Sequence, residues 1–157
     1  MSAKWPKGIV ADNISRYLRS SSVRMDIIVT FDERGVSSHP NHIGVYEGCC
    51  EVFIQNQFGL TQLWALETVN IFRKYISYWD IQLVLPGVHM LASFDPRPSY
   101  GSMSLHHSQF VWFRKLSIFF SRYTFVNTFN VFLLRANAEV TPTETPSSKV
   151  KTESELR

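Results

Sequence analysis

The stretch "MDIIVTFDERGVSSHPNHIGVY", Met25 to Tyr46, decides how this chain is read. Ile27 to Phe31 is a short, nearly continuous apolar run, as expected of a strand covered on both faces of a parallel sheet. Gly35, Ser37, Ser38 and Pro40 then mark a loop. Beyond it Ile43, Tyr46, Cys50, Phe53 and Ile54 recur at helical spacing. In open α/β sheets, sites form in loops past the C-terminal ends of strands. This loop stands at such a place, and it carries His39 and His42, two of the five histidines.

Working outward, Gly8 to about Arg19 reads as an amphipathic helix, ended by Ser20-Ser21-Ser22. Leu63 to Val69 reads as a second strand, and Asn70 to Tyr75 as one or two helical turns. Ile81 to Leu85 and Val88 to Phe94 read as two strands joined through Pro86-Gly87, and "FDPRPSYGS" as a loop. From about Ser102 to Leu134 the residues read as long helix, broken once near Asn127. Alternating helices and buried strands imply one α/β domain over residues 1–134, with a mostly parallel sheet and flanking helices. The tail from Arg135 to Arg157 has almost no large apolar residue, so it reads as disordered.

The totals narrow the classes. The 157 residues suit one domain, and a 45% hydrophobic share can fill its core. A net charge of +3 favours anionic partners without choosing among them. No nucleic-acid motif appears, so nucleic acid is not an expected partner. Cys49 and Cys50 are adjacent and form no disulfide framework, which points to a reducing compartment or a cytosol-facing surface. Placed on a helix, they read as small buried apolar residues. The segment Leu116–Leu134 approaches bilayer length, but Arg122 lies near its centre, so a buried or membrane-surface helix is expected rather than a span. Arg114, Lys115 and Arg122, interleaved with Trp112, Phe113, Phe119 and Phe120, show a membrane-surface pattern; basic side chains snorkelling around a core would show it too.

His39-Pro40-Asn41-His42 admits two readings. One is a polar surface turn. The other is part of a hydrolytic zinc site, where the metal activates water and a second histidine stabilises an oxyanion or protonates a leaving group. Pro40 fits a first-turn position, where its missing N–H is not needed. His106 and His107, in "SLHHSQFVWFRKL", read either as a polar helix start or as a supporting contact to the site or to phosphate.

"TFDERGVSSHPNHIGVY" resembles a block of the eukaryotic N-acetylglucosaminylphosphatidylinositol de-N-acetylases, which belong to the LmbE-like zinc deacetylases. "VNIFRKYISYWD" (Val69–Asp80) and "MSLHHSQFVWFRKLSIFFSRYTFVNTF" (Met103–Phe129) resemble two further blocks, in the same order. The resemblance runs from about Trp5 to Phe132. It implies a Rossmann-like fold and removal of acetate from N-acetylglucosaminyl-phosphatidylinositol, the second step of GPI-anchor synthesis. It also implies a glycosylated phosphatidylinositol substrate at a membrane surface, on the cytosolic face of the endoplasmic reticulum. His42 maps onto the zinc ligand, and His39 onto the group that stabilises the oxyanion and donates a proton. Asp32 occupies the family's T-F-D position and is read as a residue that supports the zinc site from behind or orders the loop; His106 is a further candidate for a supporting role.

Three departures shape the expectation. The family's A-H-P-D-D block, which supplies the other zinc ligands and the general base, does not occur in this sequence, nor does its N-terminal membrane segment. Ser38 stands where the family commonly has glycine, which matters if the backbone there needs a positive φ. The sequence thus reads as a truncated form that lacks the first strand and its loop. One imidazole does not hold catalytic zinc at useful affinity, so the chain alone is expected to be inactive. The alternative expectation is a non-catalytic, membrane-associated or regulatory remnant.

Overall fold

A computed structural model describes residues 3–134 and 140–142. Helix α1 (Lys7–Ser20) leads to strand β1 (Ile27–Phe31), a helical turn α2 (Gly35–Ser38) and helix α3 (Pro40–Gln55). Strand β2 (Gln62–Leu66), the short helix α4 (Ile71–Lys74), a 3-10 segment (Ser77–Leu83) and strand β3 (His89–Ala92) follow. Helix α5 (Arg97–Ser104), a 3-10 turn (His107–Gln109), helices α6 (Trp112–Phe120) and α7 (Arg122–Phe125), and strands β4 (Val126–Leu134) and β5 (Val140–Pro142) complete the order.

The α/β class with helices flanking a sheet is as expected, but the sheet is mixed. Its order is β1-β2-β4-β3, with β5 also on β4. β1 and β2 are parallel, with Val29 opposite Trp64; β4 runs antiparallel to β2, β3 and β5. Among the described strands β1 ends the sheet, and Ile27 and Val29 on it are exposed.

The long helix expected over Ser102–Leu134 is corrected most. Its first part breaks into α5, a 3-10 turn, α6 and α7, and its last nine residues are β4. The reason is tertiary. Val126, Thr128, Phe129 and Val131 bury their side chains as β4 pairs between β2 and β3, and β-branched residues fit that pleated, half-buried setting. The strand expected at Ile81–Leu85 is instead the 3-10 segment, held where Asp80 is drawn inward by two arginines. Part of "FDPRPSYGS" is helix α5, with Arg97 and Pro98 in its first turn. Val140–Pro142, read as disordered, is strand β5; the rest of the tail lies outside the described residues.

The core forms where α1 and α3 cover one face of the sheet. Ala11, Cys49, Val52, Phe53, Leu60 and Leu63 are buried there. Close approach of the helices requires Gly44 and Gly48. A Cβ on Gly48 would stand 2.6 Å from Val10, and one on Gly44 would stand 2.5 Å from the Trp5 carbonyl. The two glycines are four apart and so share one face of α3. Burial raises the pKa of both the Cys49 and the Cys50 thiols, consistent with inert, packed sulfhydryls.

Candidate functional site

The histidine loop begins where β1 ends. Asp32, buried at that end, is its organising anion. Its Oδ1 accepts the backbone N–H groups of Arg34 (3.1 Å) and Gly35 (3.0 Å) and the Thr68 hydroxyl (2.6 Å). Its Oδ2 accepts the Thr68 backbone N–H at 2.6 Å. The Thr68 hydroxyl in turn accepts the Val36 N–H at 2.8 Å. The ends of the parallel strands β1 and β2 are thereby locked together, and the loop is pinned at three successive backbone groups.

The pinned backbone is unusual. Gly35, Val36 and Ser38 have φ of 59°, 65° and 56°. Glycine is required at position 35 for a second reason: a Cβ there would stand 2.9 Å from the His42 Cβ. Val36 and Ser38 hold left-handed geometry without glycine's freedom, a cost of order 1–3 kcal/mol each that clusters at functional loops. Ser38 therefore sits at a positive-φ position, the case in which serine is penalised.

The two histidines are brought together, with ring centroids 4.8 Å apart. His39 caps α3 and is exposed; His42, in the first turn, is half-buried and stacked on Phe31 at 4.0 Å and 8°. Their hydrogen bonds assign opposite tautomers. His42 Nδ1 lies 3.0 Å from the Gly35 carbonyl oxygen, which can only accept. Nδ1 therefore carries the proton, and in the neutral ring Nε2 keeps its lone pair. His39 Nδ1 accepts the Asn41 N–H at 3.3 Å, so in its neutral ring Nε2 carries the proton. One ring offers a nitrogen lone pair and its neighbour offers an N–H donor. A backbone carbonyl on Nδ1 is also the usual partner of a histidine that binds metal through Nε2.

The donor chemistry of His42 thus fits a zinc ligand, but the set is partial. Among the described residues no group of three His, Cys, Asp or Glu side chains comes together to hold a metal ion. Asp32 spends Oδ1 on the loop backbone and the Thr68 hydroxyl and Oδ2 on the Thr68 N–H after β2, which fits a positioning role. His106 is exposed in the turn between α5 and the following 3-10 turn; no hydrogen bond, ion pair or ring contact joins it to His39 or His42.

Sequence reasoning missed the groups behind the loop. Beside Thr68, the Glu67 side chain accepts the Thr128 hydroxyl at 2.6 Å. Thr128 also accepts two long bonds, 3.3 and 3.4 Å, from the Arg122 guanidinium. Arg122 and Asp80 are both fully buried, with Nε 2.7 Å from Oδ2. Arg73 binds the same carboxylate through two bonds of 2.7 and 2.9 Å. Burial lowers the Arg122 pKa and Asp80 opposes that shift; for Arg73, the bonds to Asp80 raise it. The Tyr123 hydroxyl donates to the Glu67 carbonyl (3.1 Å) and accepts the Val69 N–H (3.2 Å), tying α7 to the end of β2. The available signal was an acid and an arginine within strongly apolar sequence, since such charges are buried only when paired.

Relatives of known name match most of the chain. A Dictyostelium discoideum protein named "Probable N-acetylglucosaminyl-phosphatidylinositol de-N-acetylase" is 34% identical over 82% of this chain and 62% of its own length. A Schizosaccharomyces pombe protein of the same name is 36% identical over 78% of this chain and 52% of its own. The Bos taurus N-acetylglucosaminyl-phosphatidylinositol de-N-acetylase is 30% identical over 81% and 51%. The chain thus spans roughly half to three-fifths of the length of the curated relatives it matches. No family model matches it. No solved structure matches it either. Over the residues it shares with them, the chain is similar to proteins named N-acetylglucosaminyl-phosphatidylinositol de-N-acetylases.

Proposed function

We propose that this chain carries one wall of a hydrolytic site that removes acetate from N-acetylglucosaminyl-phosphatidylinositol, the second step of GPI-anchor synthesis. The observation that carries the reading is the tautomer pair on the Asp32-ordered loop. The His42 Nε2 lone pair is the ligand this chain contributes to zinc. The His39 Nε2–H, on a ring whose centroid lies 4.8 Å from that of His42, is the other kind of group, a hydrogen-bond donor for the oxyanion. To protonate the departing amine the ring must first take up a proton at Nδ1, giving up the Asn41 N–H, so that it returns to neutral after the transfer. A bound zinc ion supplies an acidified water and a polarised amide carbonyl. Asp32 and Thr68 hold the loop so that neither ring must reorganise. The names of the relatives support the substrate class.

The place of action in this reading is the cytosolic face of the endoplasmic reticulum membrane. No helix among the described residues is long and apolar enough to cross a membrane. These 157 residues by themselves are inactive in this reading, because catalytic zinc keeps about three protein ligands and the described residues bring together fewer. A second reading, a membrane-associated chain without catalysis, is favoured by the exposed aromatic face of α6.

A loop exchange tests the assignment. The Bos taurus relative is made with Thr30–Tyr46 of this chain in place of its own matched segment, and acetate release from the glycolipid is measured. The exchange retains turnover. His42→Ala in the exchanged loop abolishes it, and His39→Ala lowers it by roughly 10²–10⁴. Turnover that survives His42→Ala would defeat the proposal.

A further inference from the structure

Helix α6 (Trp112–Phe120) is turned outward. At about 100° per residue, Trp112, Phe113, Leu116, Phe119 and Phe120 fall on one arc roughly 120° wide. A core-packed helix buries that arc. Here its five residues are 73%, 54%, 48%, 49% and 55% exposed, while Ile118 on the opposite side is 4% exposed. The orientation is fixed from behind, by Ile118 in the interior and by the Ser77 hydroxyl donating to the Phe119 carbonyl at 2.8 Å. That bond also sets the 3-10 segment against the end of α6, so exposed Tyr78 and Trp79 lie on the adjoining element.

Charge says what covers this face. Between Ile71 and Phe125 the acids are Asp80 and Asp95, and each is held by arginine: Asp80 by Arg73 and Arg122, Asp95 by Arg97. Lys74, Arg114 and Lys115 are left without an acidic partner among the described residues. Lys115 flanks the apolar arc, with Nζ 4.6 Å from the Phe110 ring centre. A convex apolar arc rich in aromatic rings and edged by Lys115, which has no acidic partner among the described residues, matches the boundary layer of an anionic leaflet. There tryptophan and aromatic rings settle at headgroup depth and lysine meets phosphate.

We propose that α6 lies in the interfacial layer of an anionic phospholipid membrane and that Trp112, Phe113, Leu116, Phe119 and Phe120 enter it. Of the apolar sequence Leu116–Leu134, only Leu116–Phe120 is free to do so, because Val126–Leu134 is committed to the sheet. The inference does not depend on the histidine chemistry; if the deacetylase reading holds, it names the surface by which the chain meets its lipid.

The test is flotation of the whole chain with phosphatidylcholine vesicles, with and without phosphatidylserine. The expected result is binding to the anionic vesicles that weakens with salt. Lys115→Gln lowers partition about fivefold. Trp112→Ala with Phe119→Ala lowers it more than about tenfold, since each loses a buried aromatic side chain. Quenching of tryptophan fluorescence by brominated lipid drops in Trp112→Phe. His42→Ala floats like the parent chain, so failure of the catalytic reading leaves this result readable. Three outcomes would overturn the proposal. One is no flotation with either vesicle. Another is flotation untouched by the α6 changes. The last is self-association without flotation that Trp112→Ala abolishes, which would assign the face to a second copy.

Discussion

Replacing Asp32 with alanine isolates the anion that orders the histidine loop. The side chain accepts four bonds, from Arg34 N, Gly35 N, Thr68 N and the Thr68 hydroxyl. Bonds to a charged group are worth about 1.5–3 kcal/mol each, but the four share one carboxylate and do not add. Gly35 N keeps a second acceptor, the Asp32 carbonyl at 3.0 Å, which trims the loss further. The net cost is about 3 kcal/mol, a large part of the roughly 5–15 kcal/mol that holds a domain. With a urea m-value near 2 kcal/mol/M, the unfolding midpoint falls by about 1.5 M at unchanged m. Asp32→Asn keeps one acceptor oxygen and turns an amide N–H₂ toward existing donors, so it costs about half as much. Urea unfolding followed by circular dichroism reads both. A midpoint shift below about 0.3 M for Asp32→Ala would refute the view that this carboxylate organises the loop.

Other consequences are measured in the same way. Ser38→Gly relieves a positive φ of 56° and raises stability by about 1 kcal/mol; a loss would mean that the serine is not strained there. Arg122→Met strands the fully buried Asp80 with only Arg73, and costs about 3–5 kcal/mol; a change under about 1 kcal/mol would show that the buried pair is not formed. Burial pushes the Tyr46 and Tyr123 hydroxyls above the usual tyrosine range. Both stay protonated in the folded chain after an unfolded chain would have ionised, so stability is unaffected below about pH 10 and falls as pH rises beyond it. Alkaline titration by ultraviolet absorbance checks this in Tyr46→Phe and Tyr123→Phe: each should remove a late-ionising component, and an early one would contradict the burial.

The N-terminal half was legible because its signals are local. α1, β1 and α3 each follow from apolar spacing, and the loop between β1 and α3 is punctuated by Gly35, Ser37, Ser38 and Pro40. The stretch Trp112–Leu134 was not, because it is apolar almost throughout and so carries no clear period. Only pairing with Trp64 and Leu91 neighbours shows that Val126 onward is strand. Arg122 looked like a charge in the middle of a helix; it is instead buried against Asp80, forty-two positions earlier in the chain. At the candidate site, the resemblance pointed to His39, His42 and Asp32, and the structure brings those three into one loop. Thr68 had no signal of its own, since nothing about a threonine after β2 announces that it will lock β1. The opposite tautomers depend on Gly35 O and Asn41 N, which only the folded backbone places.

That tautomer pair is the claim on which the functional reading stands. Long-range ¹⁵N–¹H NMR of the histidine ring nitrogens, at a pH where both rings are neutral, measures it directly. His42 is predicted to hold its proton on Nδ1 and His39 on Nε2. A His42 ring protonated on Nε2, or both rings exchanging freely between forms, would contradict the account.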